Sequence, residues 1–149
     1  MVRSSAKIHD KYYEATLQLR DISQEVVDFV EDEIARTKLY VAKVVELKNG
    51  IDYLLSDNGL TRALGKTLQQ KFGGDLKVTA SLFSQRDGKD IYRVTVLFRE
   101  ASYRKGDSVE YQGDSYEVKL MGKDILLQAV KDGKKVHIKY KDMDQIKKV

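Results

Sequence analysis

The sequence predicts an α+β protein: a two-layer β-α-β-β-α-β-β sandwich followed by a small SH3-like β-barrel. Three observations predict this fold. Apolar and polar residues alternate in several segments, which is typical of half-buried strands. Two other segments carry apolar residues at helical spacing. Past Glu100 the helical spacing disappears, and short strands are separated by frequent turn residues, as in small barrels. We therefore expect two domains, residues 1–101 and residues 102–149.

The first strand and the first helix are predicted to follow each other directly. The segment Tyr12–Arg20 alternates apolar and polar residues, which predicts a strand. The segment Gln24–Thr37 has a helical stripe made of Val26, Val27, Val30 and Ile34. Away from this stripe we expect the acidic residues Glu25, Asp28, Glu31 and Asp32. Asp21 and Ser23 can cap this helix.

A hairpin and a second helix come next. The strands Leu39–Lys48 and Ile51–Leu55 flank Asn49-Gly50, a dipeptide that favours a tight hairpin turn. The segment Leu60–Phe72 has an apolar residue every fourth position, which predicts an amphipathic helix, and Ser56-Asp57-Asn58 before it can cap its start. Gly65 lies inside this helix, where glycine costs about 1 kcal/mol relative to alanine, so we expect a close neighbour there.

A second hairpin completes the sandwich, and short strands follow it. Alternating residues on both sides of Asp87-Gly88 predict two long strands around a tight turn. Between Tyr103 and Val149 no helical stripe is present. Turn signals occur there at Gly106-Asp107, Gly113-Asp114, Gly122-Lys123 and Asp132-Gly133. The polar joint Glu100–Lys105 is expected to let the two lobes move relative to each other.

The composition excludes several classes of function. The 149 residues carry a net charge of +4 and include no cysteine, which excludes disulfides, thiolate zinc sites and cysteine nucleophiles. His9 and His137 have no metal-binding spacing, and nucleotide-binding and hydrolase motifs are absent. We expect no enzymatic activity, no cofactor and no small-molecule substrate. With no membrane-spanning run and no signal-peptide pattern, we expect a cytoplasmic protein that does not bind membranes.

Positive charge is unevenly distributed along the chain. The helix Gln24–Thr37 has five acidic residues and one basic residue, whereas Leu60–Phe72 has three basic residues and no acidic one. The open face of the first sheet is expected to show basic residues beside aromatic ones. Such a surface binds RNA through phosphate contacts and base stacking. An ordinary polar sheet face with cross-strand pairs fits the same spacing equally well.

The candidate RNA-binding residues are basic side chains chosen for their charge and expected exposure. In the first domain they are Arg20, Arg62, Lys66, Arg86, Lys89, Arg93 and Arg99. In the second domain they are Arg104, Lys105, Lys119 and Lys123.

An alternative function is that of a protein-binding adaptor. It would use the acidic helix, residues 24–37, and an edge of the barrel. The candidate contact residues are Glu25, Glu33 and Phe29, an aromatic residue beside the apolar stripe of that helix. A partly exposed flank of the core is the other interpretation of Phe29.

Four blocks of residues together resemble one known family. They are Tyr12–Arg20, Asn49–Tyr53 leading into Leu60–Gly65, Asp87–Arg99, and Gly106–Val109 followed by Tyr116–Val118. In this order and spacing they resemble the Nmd-three family, the large-subunit ribosomal export adaptors of eukaryotes and their archaeal relatives. The resemblance extends from Tyr12 to about Tyr140.

This resemblance implies a central lobe similar to eukaryotic ribosomal protein L-twenty-two and a barrel similar to part of translation factor five-A. It implies a ribosome-biogenesis factor that lies across the tRNA sites of the large ribosomal subunit and contacts rRNA and ribosomal proteins. We expect it to act as a monomer, by occupancy and without chemistry.

The chain departs from the family in two respects. Members carry an N-terminal module with repeated CxxC zinc sites, and this chain has no cysteine. We expect either a fragment that starts near the second lobe or a relative without that module, so no metal site is implied. Leu-rich export and basic import signals are also missing at its C-terminus, which fits an archaeal source.

Overall fold

The computed structural model describes residues 12–149 and shows an α+β protein with two mostly antiparallel sheets, as predicted at this level. The first sheet contains β1 (Ala15–Arg20), β2 (Val41–Leu47), β3 (Gly50–Leu55), β4 (Gly74–Arg86) and β5 (Lys89–Glu100). The helices are α1 (Gln24–Arg36) and α2 (Asn58–Phe72). The second sheet contains β6 (Ser108–Tyr111), β7 (Asp114–Met121), β8 (Ile125–Ala129), β9 (Lys135–Ile138) and β10 (Ile146–Lys148). A 3-10 helix, Tyr140–Gln145, precedes β10.

The first sheet has the strand order β2-β3-β1-β5-β4. Strands β1 and β5 run parallel, with Leu17 opposite Val96 and Leu19 opposite Phe98, and the other neighbouring pairs are antiparallel. These four side chains are completely buried, because residues two apart in a strand point to the same face. The alternation predicted from the sequence therefore selects the core side of both central strands.

Both helices pack their predicted stripes into the core of the first sheet. Val30 of α1 and Leu68 of α2 belong to the same buried cluster as Leu17 and Phe98. Each such side chain contributes about 1.5–3 kcal/mol by leaving water. The starts of both helices are capped as expected: the Ser23 hydroxyl oxygen accepts from the Val26 N–H at 3.4 Å, and Asp57 Oδ1 accepts from the Leu60 N–H at 2.8 Å.

The prediction that Glu31 lies on the solvent side of α1 is wrong. Glu31 is completely buried, and its Oε2 accepts a hydrogen bond of 2.6 Å from the Tyr53 hydroxyl. Within residues 12–149 its Oε1 has no hydrogen-bond partner. Tyr53 points from β3 into the core, where an unpaired hydroxyl would be costly, so an acceptor on the facing helix is needed.

The β2–β3 hairpin exists, but its turn differs from the prediction. Leu47 pairs with Gly50, so the turn residues are Lys48 and Asn49 rather than Asn49 and Gly50. Gly50 is needed for another reason: a Cβ there would lie 1.9 Å from the Leu19 carbonyl oxygen. The glycine serves close packing of β3 against β1 and not a left-handed turn.

Gly65 confirms that something packs closely against the middle of α2. A Cβ at this position would lie 2.6 Å from a methyl carbon of Val96 and 3.0 Å from one of Leu76. Gly65 therefore lets α2 approach β4 and β5, and this contact offsets the low helix propensity of glycine.

The second sheet has its own core. Its strand order is β10-β6-β7-β8-β9, with β10 and β9 as its edges, so the closed SH3-like barrel stays a prediction. Val109, Val118, Ile125 and Leu127 are completely buried beneath it. The sequence showed no sign of the 3-10 helix, because its six residues are too few for a recognisable stripe.

The segment Glu100–Lys105, which we call the junction, is partly buried. The Ala101 N–H donates to the Gly73 carbonyl at 3.2 Å, and the Tyr103 hydroxyl donates to the Met143 carbonyl at 2.7 Å. Ala101 and Tyr103 are buried in the second core, and this burial raises the pKa of the Tyr103 phenol. Movement of the two lobes relative to each other stays a prediction.

Candidate RNA-binding surface

Arg93 lies at the centre of an aromatic stack on the face of β5 opposite to Val94. Its guanidinium carbon is 3.8 Å from the ring centroid of Tyr13 and 3.6 Å from that of Phe83. Its Nε–H donates to the Tyr13 carbonyl at 3.2 Å. Arg93 and Phe83, which the alternation places on the open face, are thus brought together, whereas the alternation placed Tyr13 on the opposite face. They bind each other, so Arg93 is held in place rather than free to follow a phosphate.

Arg20 and Arg99 lie on the same face and are each paired with a carboxylate. Arg20 donates to Asp52 at 2.7 Å, across β1 and β3. Arg99 donates to Asp144 of the 3-10 helix at 2.8 Å. This hydrogen bond raises the pKa of Arg99 and lowers that of Asp144. Both guanidinium groups therefore already bind carboxylates of this chain.

Arg104 joins the junction to the start of α1. Its guanidinium donates to Glu25 and to Glu100, each at 3.2 Å, and the Glu25 hydrogen bond is the main cause of its raised pKa. Glu100 is almost completely buried and also accepts from Ser23, at 2.6 Å from the backbone N–H and 3.2 Å from the hydroxyl. We call Ser23, Glu25, Glu100 and Arg104 the junction network. Its carboxylates outnumber its one cation.

The remaining predicted cations differ in their surroundings. Lys119 pairs with Glu117 at 3.4 Å. The side chain of Arg86 lies outside the described part of the structure. The other five are exposed and form no ion pair within residues 12–149: Arg62, Lys66, Lys89, Lys105 and Lys123.

The exposed face of α2 is the best-defined cationic surface in this set. Arg62 and Lys66 lie one turn apart on it, and α2 contains no acidic residue. Their neighbours on the helix itself are small or uncharged, including Ala63, Thr67 and Gln70. Because neither cation forms an ion pair within residues 12–149, both are available to phosphate groups.

The three residues predicted to bind a protein have partners within the chain. Phe29 packs edge-on against Phe72 of α2, with ring centroids 5.7 Å apart, and Lys71 Nζ lies 5.4 Å from the Phe29 centroid. Glu25 pairs with Arg104, and Glu33 pairs with Arg36. These contacts favour the interpretation of Phe29 as a flank of the core.

Sequence reasoning missed an exposed apolar pair on the β4–β5 hairpin. Leu82 and Tyr92 lie opposite each other, and 57% and 47% of their surfaces are exposed. Their alternating positions predicted burial, as for Val94 and Val96. The difference in strand length would have predicted this exposure. Strands β4 and β5 have 13 and 12 residues, whereas β1 has only six, so the hairpin end of β4 and β5 extends beyond β1.

In the described part of the chain, no group of three His, Asp or Glu side chains is placed to hold a metal ion. Neither α1 nor α2 is long and apolar enough to cross a membrane, and the same holds for every helix within residues 12–149.

The structure is that of an α+β protein whose second helix exposes two cations, Arg62 and Lys66, that form no ion pair within residues 12–149. A family profile described as "NMD3, second domain" matches residues 12–99, more than half of the chain. The chain therefore belongs to the NMD3 family. This is the family, written Nmd-three above, that the four sequence blocks resemble. Membership indicates a ribosome-related role, and the family is one of ribosome-associated factors rather than a known enzyme family. A comparison with curated proteins found no match.

Proposed function

We propose that this protein is a non-enzymatic ribosome-assembly factor that binds the large ribosomal subunit at or near its tRNA sites. The observation that carries the proposal is the exposed face of α2. Arg62 and Lys66 lie there with no ion-pair partner among the described residues, inside the region that matches the NMD3 family. Cations of this kind bind the phosphates of rRNA and release counterions on binding.

The mechanism is occupancy. Phosphate contacts position a protein on RNA without reading its sequence, while shape selects the place. A protein seated over the tRNA sites excludes tRNA until it is removed. No bond is made or broken in this mechanism.

The second sheet adds a smaller set of contacts in this proposal. We assign it to a separate domain, residues 102–149, with an SH3-like barrel fold, and residues 1–101 to the first domain. Lys105 and Lys123 are exposed there and unpaired within the described residues. The protein acts as a monomer in the cytoplasm.

A protein-binding adaptor is the second candidate, and one observation favours it. A groove of about 210 Å³ lies between the end of α1 and α2, lined by Leu39, Leu60, Ala63 and Leu64 among others. Glu33 and Arg36 lie at the same groove. A helix or loop of a ribosomal protein could place an apolar side chain there, so the two candidates differ in how they depend on salt.

Co-sedimentation with isolated ribosomal subunits at several salt concentrations tests the proposal. We expect selective pelleting with the large subunit. Its affinity should fall by roughly 0.7–0.9 log unit per phosphate contact for each tenfold increase in salt. A salt-independent association would favour the adaptor. Pelleting with neither subunit, or equally with both, would contradict the proposal.

A further inference from the structure

The β4–β5 hairpin extends beyond the rest of the first sheet as a two-stranded ribbon. Strand β1 pairs with β5 only from Val94 to Arg99. Beyond Val94, Ser81–Arg86 and Lys89–Arg93 pair with each other alone, around the turn Asp87-Gly88. We call these two segments and their turn the ribbon. Isolated two-stranded hairpins are marginal in water, so a persistent ribbon needs support at its base.

The base of the ribbon has such support on both faces. On one face, the stack of Tyr13, Arg93 and Phe83 ties the ribbon to the segment before β1. On the other face, Asn58 of α2 donates from Nδ2 to the Tyr92 carbonyl at 3.2 Å. The ribbon is therefore held in one orientation before any partner binds, which lowers the entropic cost of binding.

The exposed apolar pair of the ribbon lies on the side that faces α2. Leu82 and Tyr92 are directly opposite each other, and the next pair toward the sheet, Ala80 and Val94, is on the same face. The side chain of Val94 is buried beneath α2, whereas Leu82 and Tyr92 extend past the helix. Exposed apolar surface of this kind on a rigid element marks a contact site.

A surface cavity of about 670 Å³ lies between Tyr92, the start of α2 and the chain before β1. Arg62 of α2 and Tyr12 line it together with Tyr92. Two carboxylates also line it: Glu14 accepts from the Tyr12 hydroxyl at 3.0 Å, and Asp90 accepts from the Tyr92 hydroxyl at 3.4 Å. The cavity thus combines flat rings, a cation and hydrogen-bond acceptors, within the size range of small-ligand sites.

We propose that this cavity binds an unpaired nucleobase of RNA. The base stacks on the Tyr92 ring, its phosphate pairs with Arg62, and its amino groups donate to Asp90 or Glu14. A base in a duplex is already stacked and cannot enter, so the site selects single-stranded or bulged nucleotides. The proposal takes its partner, ribosomal RNA, from the proposed function, and it adds a specific site and ligand to it.

An acidic protein segment fits this cavity less well. Arg62 would attract the carboxylates of such a segment, but Asp90 and Glu14 would repel them, and the segment would offer no flat ring to stack on Tyr92. A nucleotide offers a phosphate to Arg62, a base ring to Tyr92 and amino donors to the two carboxylates. Its negative charge and its hydrogen-bond donors lie at opposite ends of the molecule.

The test measures binding of the full chain to a single-stranded RNA of about ten nucleotides that carries a fluorescent adenine analogue. Quenching of that analogue reports stacking. We expect Tyr92→Ala to abolish the quenching and to lower the affinity by about 5- to 100-fold, because stacking one base on a ring contributes that much. Tyr92→Phe keeps the ring and should quench as the unsubstituted chain does. Tyr40→Ala removes a similarly exposed tyrosine at the opposite side of the sheet and is the matched control.

The outcomes separate this inference from the proposed function. If Tyr92→Ala binds and quenches the single-stranded RNA as the unsubstituted chain does, the nucleobase site is overturned. The same holds if a duplex of that sequence binds with equal dependence on Tyr92, or if a cross-linker at position 92 captures a ribosomal protein instead of rRNA. Co-sedimentation with the large subunit is measured in parallel. If the unsubstituted chain does not co-sediment with the large subunit, the proposed function is contradicted. Binding of the single-stranded RNA that depends on Tyr92 would still support the nucleobase site.

Discussion

The junction network and the α2 face contain arginines of the same charge, yet the structure uses them in different ways. Arg104 of the junction donates to two carboxylates, one of them the buried Glu100. Arg62 of α2 has no carboxylate partner within the described residues and lines an open cavity. The difference teaches that a basic residue indicates a nucleic-acid contact only when the fold leaves it unneutralised.

The largest expected effect tests whether the junction network stabilises the fold. Glu100→Ala should lower the free energy of unfolding by about 3 kcal/mol, because it removes a buried acceptor and leaves the Ser23 N–H without a partner. Urea denaturation followed by circular dichroism measures it. Glu25→Ala removes the exposed partner of the same Arg104 and should cost less than about 1 kcal/mol. Equal effects of the two substitutions would show that burial does not distinguish them.

The next-largest effect tests whether the cations of α2 bind the large ribosomal subunit. Arg62→Glu combined with Lys66→Glu should lower the affinity for the large subunit by about 100-fold, since each charge-assisted contact contributes roughly 1.5 kcal/mol. The free energy of unfolding should change by less than about 0.5 kcal/mol, because both side chains are exposed. Lys134→Glu combined with Lys135→Glu makes the same change in net charge on the second sheet. An equal loss in this control would mean that net charge, and not the α2 face, determines binding.

Arg93 tests whether a predicted RNA contact is structural. Arg93→Lys keeps the charge but loses the planar group between Tyr13 and Phe83, so we expect a loss of about 1–2 kcal/mol in thermal unfolding. Arg62→Lys makes the same substitution at an exposed arginine that stacks on no ring within residues 12–149, and it should change stability by less than about 0.5 kcal/mol. If Arg93→Lys leaves stability unchanged and weakens subunit binding, Arg93 belongs with the α2 cations.

The smallest effect concerns the Arg99–Asp144 pair. Arg99 holds the pKa of Asp144 below its ordinary value, so the folded state favours the ionised carboxylate. Its stabilisation is present above the unfolded pKa of about 4 and is lost as the pH falls through the folded value. Asp144→Asn should therefore flatten the decrease of stability in acid, but only slightly, because Asp144 is 69% exposed. Asp142→Asn in the same 3-10 helix is the control. A steeper acid decrease in Asp144→Asn would contradict this assignment.

The candidate site was predictable in its cations and not in its shape. The sequence included Arg62 and Lys66 among eleven candidate cations, since an amphipathic helix without acids exposes its polar face. It could not show that Arg99 and Arg104 meet Asp144 and Glu25, which are 45 and 79 residues away in the chain. Such pairs depend on how the second sheet sits against the first, which local patterns do not encode.

The sequence by itself determined the order of the elements, the caps at Ser23 and Asp57, the buried sides of β1 and β5 and the membership of the NMD3 family. These depend on local periodicity and on blocks of consecutive residues. Only the tertiary structure decided that Glu31 is buried beside Tyr53, that Leu82 and Tyr92 are exposed, and which arginines are neutralised. The physical reason is that burial and charge pairing depend on neighbours that are distant in the chain, and those neighbours are set by the packing of the whole fold.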